Sequence, residues 1–133
     1  DDDDDEDFDT NVCIRKSHKK QDHLEVTINL DQVPLLNGAI QCVELGILST
    51  LHPQNLRCAR AVVNPDDVQH NHLYPLLFDP QTSGGLLISV PESEGDVLLQ
   101  QLKLNGYPHA SIIGSFKTIS ESFDSGPSIR INA

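Results

Sequence analysis

The sequence predicts an α+β fold, a single mixed sheet with helices packed on it. Three observations carry that expectation. Residues 24–30, LEVTINL, alternate apolar and polar side chains, as a half-buried strand does. Residues 35–45 bring Leu35, Leu36, Ala39, Ile40, Val43 and Leu45 to roughly helical spacing, ahead of Gly46 as a natural helix stop. Further on, the apolar run LLISV at 86–90, a helical pattern ending at Asn105-Gly106 and a strand pattern at 110–119 give a second strand, helix and strand.

Taken in order, the elements begin after an unusual start. Residues 1–9, DDDDDEDFD, hold eight acids and no base. The 133-residue chain has a net charge of −11, so this run accounts for most of it. A uniform run of like charges repels itself and offers no turn that would fix carboxylates around a cation. A short basic block, RKSHKK, follows at 15–20. Residues 1–23 therefore read as an acidic low-complexity segment or insertion, with the α+β domain spanning 24–133. Deleting the segment is expected to cost little stability.

The strand at 24–30 places Leu24, Val26, Ile28 and Leu30 on one face. The helix of 35–45 makes Cys42 a small core residue. Residues 49–56, with Pro53, read as a loop, and residues 57–63 as a strand. Residues 66–78 are weakly helical and broken by Pro75. Asp79 to Gly85 form a turn cluster, and Leu86 to Val90 a buried strand ended by Pro91. Ser93 suits a helix N-cap, with Asp96 as its capping-box partner. Gly114 sits inside the strand of 110–119 as a bulge candidate. Residues 120–127 form a polar loop, and Ser128 to Ile131 suggest a short edge strand.

Several functions are excluded at this level. No apolar run approaches the ~18 residues of a membrane span, and no basic-then-apolar leader opens the chain, so a cytoplasmic location is expected. So acidic a chain repels phosphate backbones, which argues against a nucleic-acid binder. The three cysteines, Cys13, Cys42 and Cys58, are odd in number, widely spaced and without a C-x-x-C pair, which suits a reducing compartment. His70 and His72 form the one close histidine pair and read as a surface loop rather than a metal site. No G-x-S-x-G, P-loop or H-E-x-x-H motif is present.

One stretch invites chemistry. In LFDPQTSGGLLISV, residues 77–90, Thr82, Ser83 and the N–H groups of Ser83, Gly84 and Gly85 could form a donor cradle for an anion. Asp79 could accept a hydrogen bond from the turn or hold a cation-bound water. A purely structural turn, with its glycines at positive φ, fits the same residues.

The run D-P-Q-T-S-G-G-L-L at Asp79–Leu87 resembles the signature of selenophosphate synthetase, also called selenide, water dikinase. Leu35-Leu36-Asn37-Gly38-Ala39 with Glu44-Leu45-Gly46, then Asn55 and Arg57, Val90-Pro91, Asn105-Gly106 and Ala110–Thr118 resemble the family's flanking segments more loosely. The likeness covers about residues 24–118. It implies the C-terminal α+β domain of such an enzyme, partly ferredoxin-like, as in the ATP-using enzymes related to aminoimidazole ribonucleotide synthetase. The complete family enzyme makes selenophosphate, AMP and orthophosphate from ATP, selenide and water, and needs Mg²⁺.

By this resemblance Asp79, Gln81, Thr82, Ser83, Gly84 and Gly85 are candidates for lining the substrate cleft. The family's catalytic Cys or Sec and its Lys lie in a glycine-rich N-terminal region without counterpart here. A magnesium-binding T-D-x-T-G-F-G is absent too. No catalytic or metal role therefore passes to any residue of this chain, and neither Mg²⁺ nor ATP is expected to bind it tightly. The implied partners are the family's N-terminal ATP-binding domain and, for the whole protein, ATP and selenide. A homodimer of the whole protein is also allowed. The chain alone is expected to fold and be inactive. The competing reading is a stand-alone α+β binding module that keeps the scaffold without the activity.

Overall fold

The structure, a computed structural model, describes residues 23–80, 84–119 and 128–133. Its centre is strand β1, His23–Asn29. Strands β2, Gly114–Ile119, and β3, Ser128–Asn132, flank β1 in the order β2-β1-β3. β2 runs antiparallel and β3 parallel to β1, so the sheet is mixed as expected. The strand starts at His23, one residue before the boundary expected from the sequence.

Directly paired residues share a face of a sheet. One row therefore holds Phe116, Val26 and Ile129, and the next Gly114, Ile28 and Ile131. This is the apolar face that the alternation of β1 anticipates. Glu25 and Lys117 pair on the opposite face, Nζ to Oε1 at 2.8 Å. The hydrogen bond from Lys117 holds the Glu25 carboxyl below its ordinary value.

The core is small and lies at one end of that apolar face. It consists of Leu30, Val68, Tyr74, Phe78 and Ile131, with Ala59, Val62, Leu73, Leu77 and Ile129 packed against it. Tyr74 and Phe78 meet edge to face, ring centroids 5.1 Å apart. Asn64 ties the far strand to this core. Its Nδ2 donates to the Ile131 carbonyl at 2.8 Å, and its Oδ1 accepts from the Ile131 N–H at 3.0 Å.

Between β1 and β2 the chain is helical in short pieces. Helix α1 spans Ala39–Glu44, α2 His52–Asn55, α3 Pro65–Val68 and α4 Glu92–Leu104. 3₁₀ turns occupy Leu30–Gln32, Leu56–Ala61 and Tyr74–Phe78. Both expected helix stops close as Schellman motifs. Ile47 N bonds Cys42 O and Gly46 N bonds Val43 O, and Tyr107 N bonds Leu102 O and Gly106 N bonds Lys103 O. Gly46 and Gly106 take the left-handed φ this requires, +71° and +95°.

Several expectations are corrected. α1 begins at Ala39 because Asn37-Gly38 forms a turn, closed by Ala39 N to Leu36 O with Gly38 at φ +88°. Leu35 and Leu36 thus precede the helix. Cys42 is exposed, since no residue of so short a helix is buried.

The segment 49–56 is not all loop, for Pro53 sits in the first turn of α2, where its missing N–H costs nothing. Residues 57–61 continue that helical path instead of forming a strand. The chain extends only at the β-branched pair Val62-Val63, where Val62 bridges Ile129. Pro75 opens the 3₁₀ turn of Tyr74–Phe78 rather than breaking a helix.

The run Leu86–Val90 is neither buried nor in a strand. Leu86 and Leu87 are 91% and 83% exposed. Both places beside β1 are taken by β2 and β3, which leaves this run no β1 edge to join. α4 starts at Glu92 behind Pro91, with no side-chain cap, so Ser93 and Asp96 lie inside the helix and form no capping box. Glu92 and Glu94 complement the helix dipole there instead. β2 spans the second half of 110–119. Its register with β1 is unbroken, so Gly114 is no bulge; a Cβ there would overlap the Thr27 carbonyl oxygen.

Candidate functional site

The segment leading to the Asp79–Gly85 motif is fastened by side chain to backbone contacts. His52 and Asn55 lie three apart on α2 and so share a face. His52, which is buried, bonds the Pro75 carbonyl through Nε2 at 3.0 Å. The carbonyl can only accept, so this ring nitrogen carries the hydrogen. Asn55 Nδ2 donates to the Phe78 carbonyl at 3.1 Å. The two donors grip carbonyls that are also three residues apart, at each end of the Tyr74–Phe78 turn. Below them the rings of Tyr74 and Phe78 are sunk in the core, where burial pushes the Tyr74 phenol above its ordinary pKa.

Asp79 caps this turn. Its N–H bonds Leu76 O at 3.3 Å, and its ψ of 120° turns the chain into extended backbone. Asp79 and Pro80 are half-buried. Gln81, Thr82 and Ser83 lie outside the described residues, and so does the proposed hydroxyl cradle. Gly84 and Gly85 are exposed. Gly85 does not take a left-handed φ, and a Cβ on it would meet nothing within 4 Å. Neither positive φ nor a close contact within the described residues thus calls for glycine at this position.

The structure therefore brings Asp79 next to the α2 anchor, through Asn55 and Phe78. It sets Gly84 and Gly85 at the root of an exposed apolar run. The sequence reading missed the role of His52. A trace was available: His and Asn at helical spacing around a Pro that suits a first helical turn. His70 and His72 are exposed, as a surface loop implies. Among the described residues no three His, Cys, Asp or Glu side chains converge on one point, and no helix is long and apolar enough to cross a membrane.

Fold and motif together define the class: a small α+β unit whose D-P-Q-T-S-G-G motif starts at a half-buried Asp79 beside the core and ends in the exposed Gly84 and Gly85. Comparison with known proteins identifies the relatives. The chain is 35% identical over 104 residues to a selenide, water dikinase of Clostridioides difficile, 78% of this chain and 30% of that protein. It is 37% identical over 93 residues to one of Rhizobium meliloti, 69% of the chain and 26% of the relative. A third, of Agathobacter rectalis, is 32% identical over 97 residues, 72% of the chain and 28% of the relative. No family model and no solved structure matches the chain. The chain thus carries a segment of the selenide, water dikinase family, as its Asp79–Leu87 motif suggests, and the match spans about 30% of the first relative's length.

Proposed function

We propose that this chain is the C-terminal α+β part of a selenide, water dikinase and works with an ATP-binding part of the same enzyme. The whole enzyme makes selenophosphate, AMP and orthophosphate from ATP, selenide and water. The observation that carries this reading is the match to selenide, water dikinases across about 70% of the chain, including the D-P-Q-T-S-G-G motif. The partly ferredoxin-like relationship to aminoimidazole ribonucleotide synthetase belongs to the same proposal. So does the division at residues 23 and 24.

In this reading Asp79, Gln81, Thr82, Ser83, Gly84 and Gly85 line the cleft toward the ATP-binding part. Two features support it. The loop is exposed at Gly84 and Gly85, yet its base is fixed by Asn55. The apolar side chains Leu86, Leu87 and Ile88 beside it are exposed too. Among the described residues no three ligating side chains converge as a magnesium site needs; in this reading the family resemblance assigns the ion's ligands to the other part of the enzyme. Thr82 and Ser83 hydroxyls would donate to oxygens of the substrate, where charge develops as a phosphoryl group moves.

The test measures selenide-dependent AMP and selenophosphate formation by the protein of the full reading frame and by this chain alone. Activity of the first and none of the second is expected. An inactive full-length protein refutes the reading. In that protein Thr82→Val and Ser83→Ala should lower turnover while leaving the melting temperature in place. Unchanged turnover in both returns the motif to a structural turn.

A further inference from the structure

We propose that Arg57 and Arg60 form an anion site for a chain of linked phosphates, at the foot of the Asp79 loop. Both arginines lie on the 3₁₀ turn Leu56–Ala61. Residues three apart eclipse on a 3₁₀ helix, so the two stems rise from one ridge, about 6 Å apart along the axis. The neighbouring ridge carries Ala59, which packs on the core, and both arginines are exposed. The turn is anchored at both ends: Asn55 bonds Phe78 O, and Val62 bridges Ile129. The ridge is therefore held at a fixed place one hydrogen bond from the residue before Asp79.

The charges are also available. Lys117 is spent on Glu25, but among the described residues neither Arg57 nor Arg60 has an ion pair or a side-chain hydrogen bond. Two guanidinium forks borne on one ridge would suit an anion with several oxygens on adjacent phosphorus atoms, since each fork binds two oxygens. A single phosphate fills one fork. The shared chemistry is a diphosphate unit, free or as the tail of a nucleotide. Because the chain as a whole is strongly acidic, saturable anion binding would report a local site rather than a general field. The site stands apart from the dikinase reading, which enters only in naming ATP as one source of the diphosphate unit.

The experiment is calorimetric titration of the 133-residue chain at low ionic strength with inorganic diphosphate, ATP, AMP and orthophosphate. Saturable binding of diphosphate and ATP is expected, with AMP and orthophosphate about ten-fold weaker or more. Arg57→Gln with Arg60→Gln should weaken diphosphate by about ten-fold or more, and Arg57→Lys with Arg60→Lys by roughly three-fold, because lysine lacks the fork. Arg130→Gln, at an exposed arginine on β3, should change nothing. ATP binding without diphosphate binding, no saturable binding at all, an equal loss at Arg130→Gln or an unaltered lysine variant would overturn the proposal. If the glutamine pair alters the circular dichroism spectrum, the lysine pair decides alone. Diphosphate binding beside an inactive full-length enzyme refutes the dikinase reading and leaves this site standing.

Discussion

Replacing Gly114 by alanine is expected to destabilise the chain, while the same change at Gly85 is not. At Gly114 the new Cβ would overlap the Thr27 carbonyl oxygen and lie 3.0 Å from the Thr27 carbonyl carbon and 3.2 Å from the Ile28 Cα. All three are backbone atoms of the central strand, held on its other side by β3, so no side chain can swing away. β1 and β2 must part, in the row that carries the buried Ile131. Overpacking of this kind costs about 1–3 kcal/mol, and the rigid neighbour argues for about 3.

At Gly85 the space is open and φ is not left-handed. Alanine there restricts the unfolded chain and should stabilise by about 0.4–1 kcal/mol. Urea unfolding reads both changes, and the melting temperature should move by roughly 3–5 °C per kcal/mol for a chain of this size. A Gly114→Ala variant within about 0.5 kcal/mol of the wild type, the range of ordinary surface changes, would refute the close approach of β1 and β2. A Gly85→Ala variant that melts normally but slows the full-length enzyme would mark a contact outside this chain.

Three further predictions follow from the same geometry. Asn64→Ala removes both hydrogen bonds to the Ile131 backbone and should cost about 1–3 kcal/mol in urea unfolding, with Asn64→Asp keeping only the acceptor. Ile131→Ala should cost about 2–5 kcal/mol and Ile131→Val about 0.5–1.5, measured in the same way. Lys117→Ala should lower the melting temperature at neutral pH. The Glu25 carboxyl is lowered in the folded state, so its contribution is present above the ordinary value of 4.5 and fades as pH falls through the lowered one. The wild type and the variant should therefore converge in strongly acid solution; a constant gap at all pH values would count against the ion pair.

What the sequence discloses divides along physical lines. The alternation of LEVTINL, the two glycine stops and the edge strand read at 128–131, which the structure extends to Asn132, were legible because each is decided locally, by side-chain period or by a φ that glycine alone takes readily. The strand read at 57–63 failed because Pro53 launches a helical path that Leu56, Arg57, Cys58 and Ala59 can all continue, and nothing in that run insists on extended backbone before Val62. LLISV failed for the opposite reason. Its residues suit a strand, but side-chain period cannot report whether a strand finds a partner, and here β2 and β3 hold both sides of β1 while the run joins neither of them. At the site, the motif's chemistry was readable from its residue types. The grip of His52 and Asn55 on Pro75 and Phe78 was not, because it joins segments 23 residues apart.

The pairing of β3 with β1 has a kinetic consequence. Asn29 and Asn132 touch across 103 positions of chain, and Ile131 completes a core whose other members all come from residues 30–78. Loops of that span close late and slowly, after helices and short turns have formed. During synthesis the first four core side chains would emerge well before their fifth, and wait with one apolar flank uncovered. Such an interval favours association with other chains or with chaperones. Refolding of the purified chain should accordingly be slow for its size, and its yield should fall as concentration rises.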